Sequence, residues 1–252
     1  MNHELKYKIF EEKISKMTNE IFGDSLKQYP YEKPARLDNN SNKVIMILGI
    51  NPAGDHKDHS YFLQYIPNAA ILNKYNSKSD SDGLFYRKYF HPNFELVSSY
   101  QPKLWWTSYD EKIMDVKKYF IKDNKIMEWQ ELFEAIEIEK KKNSPYIVFC
   151  DLLQNHHTAS KVIKKYINDN IDLVLSMYDA MLDYYNPRLV IVTNSFVSRL
   201  LMEKYNIEEV TSFDHPKKNT HFILSGFVSS GRMDPFSIQR LKKEIDEYKS
   251  DF

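Results

Sequence analysis

Val44-Ile45-Met46-Ile47-Leu48-Gly49-Ile50-Asn51-Pro52-Ala53-Gly54-Asp55 is the stretch on which the fold turns. Val44 to Leu48 is an unbroken apolar run, β-branched or large, too short for a typical helix and without a polar face. Such a run predicts a strand buried on both sides. Gly49 ends it and lets another group approach the backbone closely. Pro52 pushes Asn51 towards extended geometry, so no helix starts at Asn51. A polar amide is therefore expected at the carboxyl end of a core strand, the edge at which open α/β sheets bind ligands. Asn, Pro and Gly are also ordinary turn formers, so the stretch has to be weighed with the rest of the chain.

Beyond it the pattern becomes regular only after residue 140 or so. Pro145 to Leu152 reads as a second apolar strand. Helical segments follow at about 158–168 and 170–185, the latter with Ile171, Leu173, Val174, Leu175, Met177, Met181 and Leu182 expected to face inward. Arg188 to Thr193 is a third strand, running straight into a helix from Ser195 to Tyr205. Thr220 to Leu224 is a fourth strand, and Ser237 to Tyr248 a closing helix with Ile238, Leu241 and Ile245 on one side. Strands alternating with helices indicate parallel pairing through right-handed crossovers. The expected fold is α/β: a three-layer α/β/α sandwich around a central four-stranded parallel sheet.

On the amino-terminal side, Leu5, Ile9, Phe10, Ile14, Met17 and Ile21 recur at spacings near three and four, predicting an amphipathic helix over 3–22. Residues 55–125 are rich in Tyr, Asn and Ser with few periodic runs, and form an irregular insertion too long for a bare loop. A helix is expected around 126–142. At 252 residues the chain suits one substantial core, and 1–252 is read as a single domain.

Composition narrows the function classes. Basic and acidic side chains balance at 35 each, so no global positive field draws in nucleic acid, although a local basic face is compatible with the balance. One cysteine, Cys150, rules out a disulfide within the chain and fits a reducing compartment. No run approaches a membrane span, and the start, Met1-Asn2-His3-Glu4-Leu5-Lys6, lacks a signal peptide's apolar core. A cytoplasmic protein is expected, with no membrane partner. Asp55-His56-Lys57-Asp58-His59 and His156-His157 hold metal-ligand types but no spacing of a zinc site, so no metal is expected. No phosphate-binding glycine loop, dinucleotide fingerprint or hydrolase nucleophile elbow is present.

Each core strand ends in small or polar residues, which parallel pairing would bring to one edge. These are Asn51 and Asp55, then Asp151, Gln154 and Asn155, then Asn194 and Ser195, then Ser225-Gly226-Phe227-Val228-Ser229-Ser230-Gly231-Arg232. Singly, each is a cap or turn residue, and Asn194 with Ser195 is most simply a helix N-cap pair. The four groups together exceed what caps require.

Gly49-Ile50-Asn51-Pro52 resembles the first active-site motif of the uracil-DNA glycosylase superfamily. It is closest to the mismatch-specific (thymine- or uracil-mismatch) branch, in which Asn replaces the Asp of the classical uracil enzymes. The residue match covers about ten positions; the skeleton of strands and helices over 43–248 is similar to the superfamily's parallel four-stranded architecture. The resemblance implies excision of uracil or another damaged base from DNA by a monomer that uses no cofactor. It implies Asn51 and Ser225 as catalytic positions, and Gly49, Ile50 and Pro52 around the base. The stacking ring would come from the segment after the motif, where Tyr61, Phe62, Phe85 and Tyr86 compete, with Tyr61 and Phe85 foremost. Asp151 or Asn155 stands where the family reads the base edge with an amide, and Asp151 could equally cap the helix near Thr158. Ser229-Ser230-Gly231-Arg232 is similar to the branch's Ser-Gly-x-x-Arg pattern and implies DNA contact through Ser229, Ser230 and Arg232. The chain departs from the classical His-Pro-Ser-Pro loop, having Ser225-Gly226 after Leu224, and its single cysteine excludes the four-cysteine iron–sulfur cluster of other branches. A catalytically silent base- or nucleotide-binding relative and an unrelated doubly wound enzyme are the competing expectations.

Overall fold

The computed structural model describes residues 2–24, 37, 43–50, 96–97, 121–122, 125–126, 145–153, 160–226, 228 and 233–248. The chain divides into two compact units, Met1–Pro67 with Tyr146–Gly226, and Asn68–Pro145 with Phe227–Phe252. The sequence alone suggests one domain over 1–252.

In the first unit the elements are α1 (His3–Phe22), β1 (Val44–Gly49), β4 (Tyr146–Asp151), α2 (Ser160–Asp169), α3 (Ile171–Tyr185), β5 (Leu189–Val192), α4 (Ser195–Tyr205), β6 (Ser212–Asp214) and β7 (His221–Leu224). In the second unit β2 (Ile121–Lys122) pairs antiparallel with β3 (Lys125–Ile126), and α5 spans Pro235–Glu247. The insertion at 55–125 and the helix expected at 126–142 fall almost wholly outside the described residues.

The sheet has the order β4-β1-β5-β7-β6. β1 lies parallel to β4 and to β5, and β5 parallel to β7, so the four strands expected from the sequence form one parallel set. The expectation of four strands is corrected by a fifth: β6 joins antiparallel to β7 at the edge. β6 escaped notice because Ser212-Phe213-Asp214 holds a single apolar residue, and an edge strand needs no buried pair of faces.

β1 is interior, between β4 and β5, and Val44 to Leu48 are all buried, as a strand apolar on both faces requires. Alternate side chains divide between the faces. Val44, Met46 and Leu48 join Val148, Cys150, Val190, Val192, Phe222 and Leu224 in one core with residues of α1 to α4. Ile45, Ile47, Leu189, Ile191 and Ile223 are also fully buried. α1 opens on Asn2, whose side chain accepts the Glu4 N–H at 3.1 Å, and it buries Phe10, Ile14, Met17 and Ile21. The Phe10 ring stacks on Tyr184 of α3 at 4.2 Å between centroids. α3 and α4 both end on an asparagine in the left-handed region, Asn186 (φ 42°) and Asn206 (φ 52°), which Asn adopts more readily than most side chains. In the second unit α5 is capped by Asp234, which accepts the Ser237 N–H at 3.0 Å, and buries Leu241 and Ile245.

In chain order the parallel strands run 2-1-3-4, so the connections leaving β1 and returning to β5 diverge on either side of β1. The carboxyl ends of β1 and β5 therefore flank the topological switch point, where open α/β sheets hold ligands.

Candidate functional site at the carboxyl edge of the sheet

Strand register lines up the ends of the four parallel strands. Gly49 is paired with Asp151, Leu48 with Val192, and Val192 with Leu224. The row at the edge is thus Asp151, Gly49, Thr193 and Ser225. Gly49 and Ser225 stand two strand spacings apart, roughly 10 Å.

The pairing of β1 with β4 continues past both strands: Leu152 N–H donates to the Gly49 carbonyl at 3.1 Å and Leu153 N–H to the Ile50 carbonyl at 3.0 Å. This holds the start of the Gly49-Ile50 turn against the end of β4. A side chain at 49 would collide with Asp151 Oδ1, so the carboxylate occupies the space that the glycine leaves open. The close approach expected at Gly49 is the approach of Asp151. Asp151 is half-buried, and its carboxylate lies against the end of β1.

Other polar groups on this edge are engaged in holding the backbone. Thr193 N–H donates to the Leu48 carbonyl at 2.9 Å, with its hydroxyl 3.4 Å from the same oxygen. Asn194 Oδ1 accepts the N–H groups of Phe196 (3.0 Å) and Val197 (3.3 Å), which makes Asn194 the cap of α4. Ser198 Oγ, in the first turn of α4, donates to the Ser225 carbonyl at 3.0 Å, and Ser225 N–H donates to the Val192 carbonyl at 2.9 Å. Ser225 is buried, and its hydroxyl has no hydrogen-bond partner among the described residues. A buried hydroxyl without a partner costs of the order of 1–3 kcal/mol, which makes Ser225 Oγ a ready donor or acceptor for an incoming polar group.

Cys150 adjoins this edge but is inert. Burial pushes its thiol well above the usual range, against a smaller opposing effect of a hydrogen bond from Tyr185.

Gly49, Ile50, Asp151 and Ser225 are therefore the expected site residues that lie within the described part of the chain. Asn51, Pro52, Tyr61, Phe85, Asn155, Ser229, Ser230 and Arg232 lie outside it, as do Asp55, His56, His59, His156 and His157. Among the described residues no group of three or more His, Cys, Asp or Glu is placed to hold a metal ion, and no helix is long and apolar enough to cross a membrane. The sequence does not mark Thr193 and Ser198, since a Thr after a strand and a Ser inside a helix are common; only the strand register shows what they hold. No protein-family model and no curated protein matches this chain.

Proposed function

We propose that the chain is a divergent member of the uracil-DNA glycosylase superfamily that hydrolyses the N-glycosidic bond of uracil or another damaged base in DNA. One observation carries this reading: Gly49-Ile50-Asn51-Pro52 begins at the carboxyl end of β1, an interior parallel strand, beside the switch point, with Asp151 held against Gly49. The finer architecture proposed with it is the three-layer α/β/α sandwich of that superfamily, with the antiparallel β6 as an addition.

A base must leave the helical stack and enter a pocket before its bond to the sugar can be cut. Charge then develops as an oxocarbenium-like sugar and an anionic base, and fixed donors aimed at the base oxygen give the largest gain. Asn51 is assigned to water positioning, because an amide oxygen accepts a hydrogen bond without titrating. Asp151, or Asn155 after it, reads the base edge, and an aromatic of the 61–90 segment, with Tyr61 and Phe85 foremost, stacks on the base. Ser225 serves the base from the fourth strand, and Ser229, Ser230 and Arg232 contact DNA. No cofactor takes part, and the protein acts as a monomer in the cytoplasm.

A second reading, a catalytically silent module that binds a base, nucleotide or nucleic acid, draws on Ser225. Its hydroxyl is buried, and that loop has no histidine at the place where the classical enzymes donate to the base. Oligonucleotides carrying uracil opposite G, opposite A and in single strands, scored by alkali cleavage, separate the two. Strand cleavage at uracil or at a mismatched base supports the glycosylase; base-dependent binding without cleavage supports the silent module. Neither cleavage nor binding would defeat both.

A further inference from the structure

The opposite, amino edge of the sheet carries a second cluster, on the turn that joins β6 to β7. His215 N–H donates to the Thr220 carbonyl at 2.9 Å, closing the turn. Within it, His215 Nδ1 accepts both the Lys217 N–H and the Lys218 N–H, each at 3.0 Å. Pro216 has no N–H, so these are the first two main-chain donors after His215. The ring also meets Tyr205 of α4 edge-on at 5.0 Å between centroids, and Phe222 of β7 at 6.3 Å. Only one form of the imidazole can accept at Nδ1: the neutral ring with its proton on Nε2.

We propose that His215 is a pH-sensitive latch for the edge strand β6. When a solvent proton binds Nδ1, the ring becomes an imidazolium with N–H on both nitrogens and can accept nothing. Both main-chain bonds in the turn are then lost together, and an N–H of the ring faces the two N–H groups it had accepted. The β6–β7 pairing loosens from the turn inward. β6 is short enough to respond. It pairs with β7 over only three residues, and Phe213, stacked on Phe222 at 4.8 Å, is the ring that anchors it.

The surroundings work in the same direction. Burial penalises the charged ring first, and the ammonium groups of Lys218, Lys204 and Lys217 repel it; the Asp179 carboxylate alone among the facing groups favours it. His215 accordingly titrates below the usual histidine value. Asp179 is held by Lys204 at 2.9 Å, and Asp183 holds Lys218 at 2.6 Å. On the hairpin itself Asp214 is bound to His221 Nδ1 at 2.7 Å. Because the folded ring binds its proton less tightly than the unfolded one, the latch is closed above the usual histidine pKa of about 6.5 and opens as the pH falls below it.

The test is nuclear magnetic resonance on the full chain between about pH 7.5 and about pH 5. The imidazole nitrogen shifts of His215 should show the Nε2–H tautomer at high pH. As the ring titrates, amide-exchange protection at Lys217 and Lys218, corrected for intrinsic exchange, should fall at least about tenfold. His215→Asn supplies an acceptor that does not titrate, and should hold that protection flat with pH. An Nδ1–H tautomer in the parent at high pH, or protection unchanged while His215 titrates, overturns the proposal. So does a His215→Asn protein that loses protection over the same range.

Discussion

Gly49→Ala is the substitution that tests the site most directly. The added Cβ would overlap Asp151 Oδ1, whereas its other near neighbours, Asp151 Cγ at 3.4 Å and the Cys150 carbonyl at 3.9 Å, would lie at ordinary contact distance. β1 cannot retreat, because it is bonded to β4 on one side and β5 on the other. The Asp151 side chain must therefore turn away. Overfilling a packed site of this kind costs about 1–3 kcal/mol. Without the carboxylate, alanine in place of glycine in a strand is neutral to favourable by roughly 0.5–1 kcal/mol. The alanine preference is common to both backgrounds and cancels, so the coupling between positions 49 and 151 is the crowding alone, about 2 kcal/mol.

The assay is a double-mutant cycle in urea. With a slope of about 3 kcal/mol/M, Gly49→Ala alone should lower the unfolding midpoint by roughly 0.5 M, and in an Asp151→Ala background it should leave the midpoint level or raise it. On the proposed function, evicting the carboxylate should also weaken base binding. Equal costs in the two backgrounds would show that the carboxylate is not packed on Gly49, and would remove Asp151 from the wall of the site.

Further outcomes follow from the same contacts. Tyr205→Phe should cost about 1–3 kcal/mol in chemical denaturation, because it strands the buried Tyr178 hydroxyl now paired with Tyr205 at 3.1 Å; adding Tyr178→Phe should recover part of that loss. Burial pushes the Tyr205 hydroxyl up to about 12, so the folded chain holds that proton more tightly than the unfolded chain: stability is complete below pH of about 10 and declines as the pH rises towards 12, measurable by thermal melts alongside phenolate absorbance. Asn194→Ala should cost about 1 kcal/mol through the lost α4 cap while leaving base binding and excision unchanged, and a loss of binding at full stability would make Asn194 a ligand instead. If excision is observed, Asn51→Ala should slow it on the order of a hundredfold with folding intact, as single-turnover kinetics would show.

Much of the fold was legible because β1, β4, β5 and β7 are continuous apolar runs, and nothing but a strand buried on both faces explains Val44 to Leu48. α1 was legible to the residue, since Phe10, Ile14, Met17 and Ile21 repeat at helical spacing. β6 was not, because its pairing partner rather than its composition makes it a strand. In the site, Gly49 announced that something comes close, but which residue does so depends on the register of Gly49 with Asp151, a contact across a hundred residues of chain that no local pattern encodes. Asn194 was legible as a cap because capping is local. The links from His215 to Tyr205, and from Tyr205 to Tyr178, join three separate elements and leave no trace in spacing.

The two edges of the sheet differ in how their polar groups are used, and this bears on function. At the amino edge Tyr178 bonds Tyr205, Lys204 bonds Asp179, Lys218 bonds Asp183, and His215 accepts two amides. Apart from His215, which holds main-chain amides, those side chains serve one another. At the carboxyl edge Thr193, Asn194 and Ser198 hold backbone, Asp151 lies against Gly49, and the Ser225 hydroxyl is buried without a hydrogen-bond partner among the described residues. They flank the switch point, a place fixed by strand order alone, and the Gly49-Ile50-Asn51-Pro52 motif starts there for reasons of sequence alone. Topology and motif are independent, and on the proposed reading their coincidence puts the ligand at this edge whatever the reaction. Binding that depends on Asp151 without excision would accordingly change the chemistry assigned to this edge and leave its position in the fold unaltered.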